Sequence, residues 1–154
     1  MRNAILIVVL FVVAAMSVAV APSAMAAPAT DACALLTPEQ VGEVVGAKMS
    51  AGTTPTPEFK KTCTWTTKGV IVTLQLEAEA MFQGAKHPPA PGVEVTPVSG
   101  VGDDAFYQGV SPNVALHVRK GSATFKATVY SSAMPMDKKK AMEKTLAQEV
   151  VGKL

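Results

Sequence analysis

The chain is 154 residues long, with 14 Lys and Arg against 12 Asp and Glu, two cysteines and 49% apolar residues. That length suits one domain with a real core, and a formal charge of +2 is too slight to mark a polyanion-binding surface. Nucleic acid is therefore disfavoured as a partner.

The N-terminus reads Met1-Arg2-Asn3, then an uncharged run from Ala4 to Ala21, Pro22 and the small-x-small triplet Ala24-Met25-Ala26. One positive charge, an apolar stretch and an Ala-x-Ala site are the parts of a secretory signal peptide, so residues 1–26 are set apart from the fold. The competing reading is a retained anchor, because 18 uncharged residues approach the ~20 that cross a bilayer. Thr30-Asp31-Ala32 ahead of Cys33 does not suit lipidation. Cleavage leaves 128 of the 154 residues, with 13 basic and 12 acidic side chains. No later apolar run is long enough for a stable membrane span. The expected product is exported, periplasmic or extracellular, with a flexible leader over residues 27–32 and a single α+β domain over residues 33–154.

Export places the two cysteines where thiols are kept oxidised, so Cys33 and Cys63 are expected to pair. The bond would close a loop of 31 residues, worth about 3 to 4 kcal/mol on chain-entropy grounds. Two separate buried thiols are the other reading. Redox catalysis is disfavoured, because 29 residues rather than two lie between the cysteines.

Helix signals follow Cys33 at once. Thr37 can cap, Pro38 suits the first helical position, and Gln40 completes a capping box. Leu36 can staple onto Val41, and Val41, Val44 and Val45 form one apolar stripe that stops at Gly46. Residues 48–61, with Thr53-Thr54-Pro55-Thr56-Pro57, read as an exposed loop.

Two hairpins are expected, each turning at a Lys-Gly pair. With Lys68-Gly69 as the first turn, Thr67 faces Val70, Trp65 faces Val72 and Cys63 faces Leu74, the last four sharing one face with Leu76 while Ile71 is the apolar exception on the other. Thr64, Thr66, Thr73, Gln75 and Glu77 fall on the other. With Lys120-Gly121 as the second turn, Val118 faces Ala123, Leu116 faces Phe125 and Val114 faces Ala127. Its polar face then holds His117, Arg119, Thr124 and Lys126.

Between the hairpins, residues 77–86 suggest a short helix ended by His87-Pro88-Pro89. Residues 93–98 suggest an edge strand because of Pro97. Gly100-Val101-Gly102-Asp103-Asp104 reads as a tight turn and residues 105–108 as a further strand. Residues 136–154 carry Met142, Leu146, Val150 and Leu154 at spacing four, an amphipathic C-terminal helix. The expected architecture is α+β: an antiparallel sheet of two hairpins plus one or two strands, with the N-terminal short helix and the C-terminal helix packed on one face.

The order Cys33, Leu35-Leu36-Thr37-Pro38, Cys63-x-Trp65 and Gly100-Val101-Gly102-Asp103-Asp104-Ala105 resembles small exported bacterial domains of unknown function. Many of those are lipoproteins built as a curved sheet gripping a helix. The resemblance implies paired cysteines, that fold and an exported address, and it carries no catalytic residue.

Candidate chemistry is sparse. His117 is expected on the wet face as a solvated histidine, since no serine or cysteine and supporting acid accompany it. His87 sits in a loop. Asp103 and Asp104 suit turn chemistry better than a hard cation, which takes ~6 to 8 oxygen ligands. Met134 and Met136 offer soft thioethers for cuprous ion, the basis of a copper-binding alternative, although methionine is also an ordinary core filler. Glu77 and Glu79 need not converge. No catalytic residue, cofactor or metal ligand is assigned. The expectation is a non-enzymatic binding or structural domain for an unknown envelope protein or small ligand, with His117, Arg119, Lys126 and Tyr130 as the contact face. An envelope hydrolase or hydrolase inhibitor is the alternative.

Overall fold

The computed structural model describes residues 29–87 and 90–154, so the segment read as a signal peptide lies outside it, as do Pro88 and Pro89. The sequence folds as α1 (Pro38–Val45), β1 (Thr62–Thr67), β2 (Val70–Glu77), α2 (Glu79–Ala85), β3 (Glu94–Pro97), β4 (Asp104–Val110), β5 (Asn113–Lys120), β6 (Ala123–Tyr130) and α3 (Met136–Val151). The six strands form one antiparallel sheet in the order β1-β2-β6-β5-β4-β3. This is the α+β class expected, the six strands being the two hairpins and two further strands.

Helix α1 forms as its sequence dictates. Thr37 Oγ1 accepts from the Gln40 amide at 3.2 Å, and Gln40 Oε1 accepts from the Thr37 amide at 3.1 Å. Gly46, at a φ of +79°, ends the helix in the left-handed conformation that glycine adopts without penalty. Leu36, Val41 and Val45 are buried. Cys33 and Cys63 form a disulfide with their Cα atoms 5.0 Å apart, which fastens the segment ahead of α1 to β1. Asp31 caps that segment by accepting from the Cys33 amide, and Ala32 is fully buried. The leader expected to be free up to residue 32 is thus docked at its end.

The first hairpin has the register expected: Thr67 opposes Val70, Trp65 opposes Val72 and Cys63 opposes Leu74. Trp65 and Leu74 are both buried on the core face. The second hairpin is shifted by two residues. Val118 opposes Phe125, Leu116 opposes Ala127 and Lys120 opposes Ala123, so the turn is Gly121-Ser122 rather than Lys120-Gly121. Asp103 holds it there, accepting from the Gly121 amide at 2.7 Å while Lys120 Nζ lies 3.0 Å from the same carboxylate. A two-residue shift keeps each side chain on its face, so face patterning alone does not fix it.

Both sheet margins are dressed. Residues 50–53 of the loop expected to be exposed run beside β1, with Ser50 N donating to Thr66 O and Thr53 and Thr64 exchanging backbone bonds. Gly52 is needed in that approach, since a Cβ there would meet Cys63 Sγ at 2.7 Å and Trp65 Nε1 at 2.8 Å. At the other margin, Val98 and Ala105 lie in a bonded register, which turns the ring nitrogen of Pro97 away from β4. Proline costs no ladder bond at that position and offers no donor outward.

Helices α1 and α3 cover the apolar face, where Trp65, Leu74, Leu116, Phe125 and Leu146 form the core. The expectation of one wholly wet opposite face is corrected. The link from β2 to β3 must pass β6, β5 and β4 to reach the far margin, and it carries α2 across the outer face. There the Phe82 ring, fully buried, lies 5.2 Å from that of Phe106.

Candidate functional site

The outer face divides into a covered half and an open half. Under α2, the Phe106 ring stacks on the His117 imidazole at 5.0 Å and 4°. His117 Nδ1 lies 2.9 Å from Glu77 Oε2, and Lys126 Nζ lies 3.8 Å from Glu77 Oε1. The Glu77 and His117 side chains are only 2% and 5% exposed. Thr124 Oγ1 donates to the Glu77 carbonyl at 2.8 Å. The expected solvated His117 is therefore corrected: it occupies the expected face, but a helix is laid over it. Phe82 in the short helix and Phe106 on a nominally wet face were the sequence signals for that cover.

Around the rim of α2, charge pairs replace the free contact surface expected. Arg119 lies 3.6 Å from Glu79 and 3.5 Å from Asp104, Lys86 pairs with Asp104, and Gln108 Nε2 donates to Ala85 O at 2.6 Å. Arg119 and Lys86 also sit over the Phe82 ring, at 5.8 and 5.1 Å from its centroid. Glu77 and Glu79 turn to different cations and do not converge. Asp103 and Asp104 likewise face separate basic groups rather than a common cation position. The Gly121 amide, then Lys120, holds the Asp103 carboxyl below the usual carboxylate range. His87 is exposed at the end of α2, and Met134 packs half-buried against the core.

Of the four residues expected to make contacts, Tyr130 alone is freely exposed, at 51%. It is the cross-strand neighbour of Ile71, which is 41% exposed. Beside this pair, Thr64, Thr73 and Thr128 stand in register across β1, β2 and β6. The open half is thus a hydroxyl-rich surface with an apolar pair at one end. Lys126 and Gln75, opposed in register, form its boundary with the covered half.

A further buried acid escaped the sequence reading. Glu143 on α3 is fully buried; its Oε1 accepts from the Val129 amide at 2.9 Å, and its Oε2 has no hydrogen-bond partner among the described residues. Burial pushes this carboxyl up to about 8, against the pull of the Val129 amide and of Lys139 and Lys140. Tyr107 Oη donates to Lys140 O at 2.6 Å, and burial, followed by the Glu143 charge, pushes the phenol up to about 12.

Among the described residues, no helix is long and apolar enough to cross a membrane, and no three His, Cys, Asp or Glu side chains are grouped to hold a metal ion. Comparison with family models, characterised proteins and solved structures returned no match for this chain.

Proposed function

We propose that this is an exported domain that binds an envelope partner or ligand without turning it over, through the open half of its outer sheet face. The observation that supports this most is the exposed Ile71–Tyr130 pair beside the Thr64–Thr73–Thr128 row. Exposed apolar groups set among polar neighbours mark contact surfaces. Export is supported by the Ala-x-Ala segment ahead of the domain and by the disulfide, which suits an oxidising compartment. The resemblance to small exported domains points the same way. A photo-crosslinking amino acid placed at Ile71 in the producing cell should give a discrete adduct, whereas one at the more exposed Met81 on α2 should not. Adducts of equal yield at both positions, or at Met81 alone, would remove the assignment.

The Glu77–His117 pair favours one alternative, an envelope hydrolase, because a carboxylate-held imidazole is half of a general-base arrangement. A screen with ester, peptide and glycoside substrates tests it: turnover lost in His117→Gln establishes the hydrolase, and turnover that survives the substitution or never occurs dismisses it.

A further inference from the structure

Strands β5 and β6 part company at one end of the sheet. Their ladder stops at Leu116 opposite Ala127, although β6 stays paired with β2 as far as Tyr130 and β5 stays paired with β4 as far as Asn113. Continued by two residues, that ladder would give the Val129 amide the Val114 carbonyl as its acceptor. Glu143 Oε1 accepts that amide instead. One helical turn earlier, the buried Lys139 donates its ammonium to Pro112 O, in the turn that leads into β5. Helix α3 therefore reaches both lips of the gap, the acid on β6 and the base on the β5 side.

We propose that Glu143 is a proton-operated latch: as the neutral acid it holds α3 across the parted ends of β5 and β6, and loss of its proton opens that end of the molecule while the disulfide-bound hairpin stays closed. The neutral form fits the site because one oxygen has an amide to accept from and the other is buried with no hydrogen-bond partner among the described residues. A carboxylate there would be stripped of water with a single donor to offset the loss. The ionisable groups facing it are Tyr107 from β4, whose hydroxyl proton is committed to Lys140 O, and Lys139 and Lys140 from α3 itself. On the core faces of β2, β5 and β6 at this end of the sheet stand Val72, Val114, Leu116, Ala127 and Val129, none of which titrates. The direction is fixed by that environment. Burial holds the folded-state proton to about pH 8, whereas the open state releases it near 4.5, so each pH unit between them favours opening by up to tenfold.

The test uses protein labelled with carbon-13 in its glutamates and with nitrogen-15, followed by NMR from pH 4 to pH 9. The Glu143 carboxyl carbon should titrate near pH 8. Over the same interval, amide protection at Val129, corrected for intrinsic exchange, should fall up to tenfold per pH unit and should stay well below that at Trp65 in the first hairpin, which opens only with the whole chain. In Glu143→Gln, which keeps an acceptor for Val129, the fall should vanish. A Glu143 midpoint near 4.5, equal protection at Val129 and Trp65, or the same pH course in Glu143→Gln overturns the latch. The first two readouts need only the natural chain, so they decide the matter even where Glu143→Gln does not fold.

Discussion

The two sides of the sheet each bury a carboxyl group, and they do so by opposite means. Beneath α2, Glu77 has a histidine on one oxygen and a lysine on the other. Beneath α3, Glu143 has one backbone amide and, on its second oxygen, no partner among the described residues. At the first site the partners on both oxygens stand in for lost water. The second suits a neutral acid, because one amide does not. Depth is similar at the two sites, so what separates them is the number of polar partners each acid meets.

Removing the acid under α2 tests the contrast most severely. Glu77→Ala leaves His117 and Lys126 without their counter-group, and should lower stability by about 3–5 kcal/mol in denaturant titration. A loss under about 1 kcal/mol would mean that the cluster is no ion pair at all. Next in size is the pH response of the natural chain. The folded state keeps the Glu143 proton to about pH 8 and the unfolded state releases it near 4.5. The stabilising contribution is therefore complete below pH 4.5, declines as pH rises through the interval and is gone above 8. The decline should be on the order of 3 kcal/mol between pH 5 and pH 7.5, read from denaturant midpoints at constant ionic strength. Smaller and opposite in sign, Glu143→Gln should raise stability at pH 8 by about 1–2 kcal/mol, since it keeps the hydrogen bond and discards the charge. Smallest is Glu79→Ala at the exposed rim of α2, where a half-solvated pair with Arg119 should contribute at most about 1 kcal/mol.

Much of this was legible before any coordinates. The capping box at Thr37 and the register of the first hairpin follow from local residues whose demands agree, and the Cys33–Cys63 pair follows from there being two cysteines in a chain read as exported. The second hairpin needed Asp103, some 18 residues from the Gly121 it binds, and no local pattern carries that contact. The open face was half legible. Tyr130 is exposed on the face its strand pattern indicates, whereas His117 lies under a helix on that same face, because period-two alternation says which face a side chain takes and not what later crosses it. Glu143 was hidden by its charge. The buried stripe of α3 runs Lys139, Met142, Glu143, Leu146, Ala147, Val150, and two ionisable residues within it break the apolar signal that marks a helix face. The residues least readable as core in the sequence are those that join α3 to the gap between β5 and β6.

Pro97 on its outward position and the run of residues 50–53 beside β1 bear on how the protein behaves when crowded. A sheet of six strands grows into ribbons when a neighbouring molecule can add its own backbone to either flank. One flank here already has a companion stretch, and the other presents a ring where a growing ribbon would need a donor. Concentrated solutions should accordingly stay clear, and association between molecules, where it occurs, should come through side chains on the broad surface rather than through main-chain zippering.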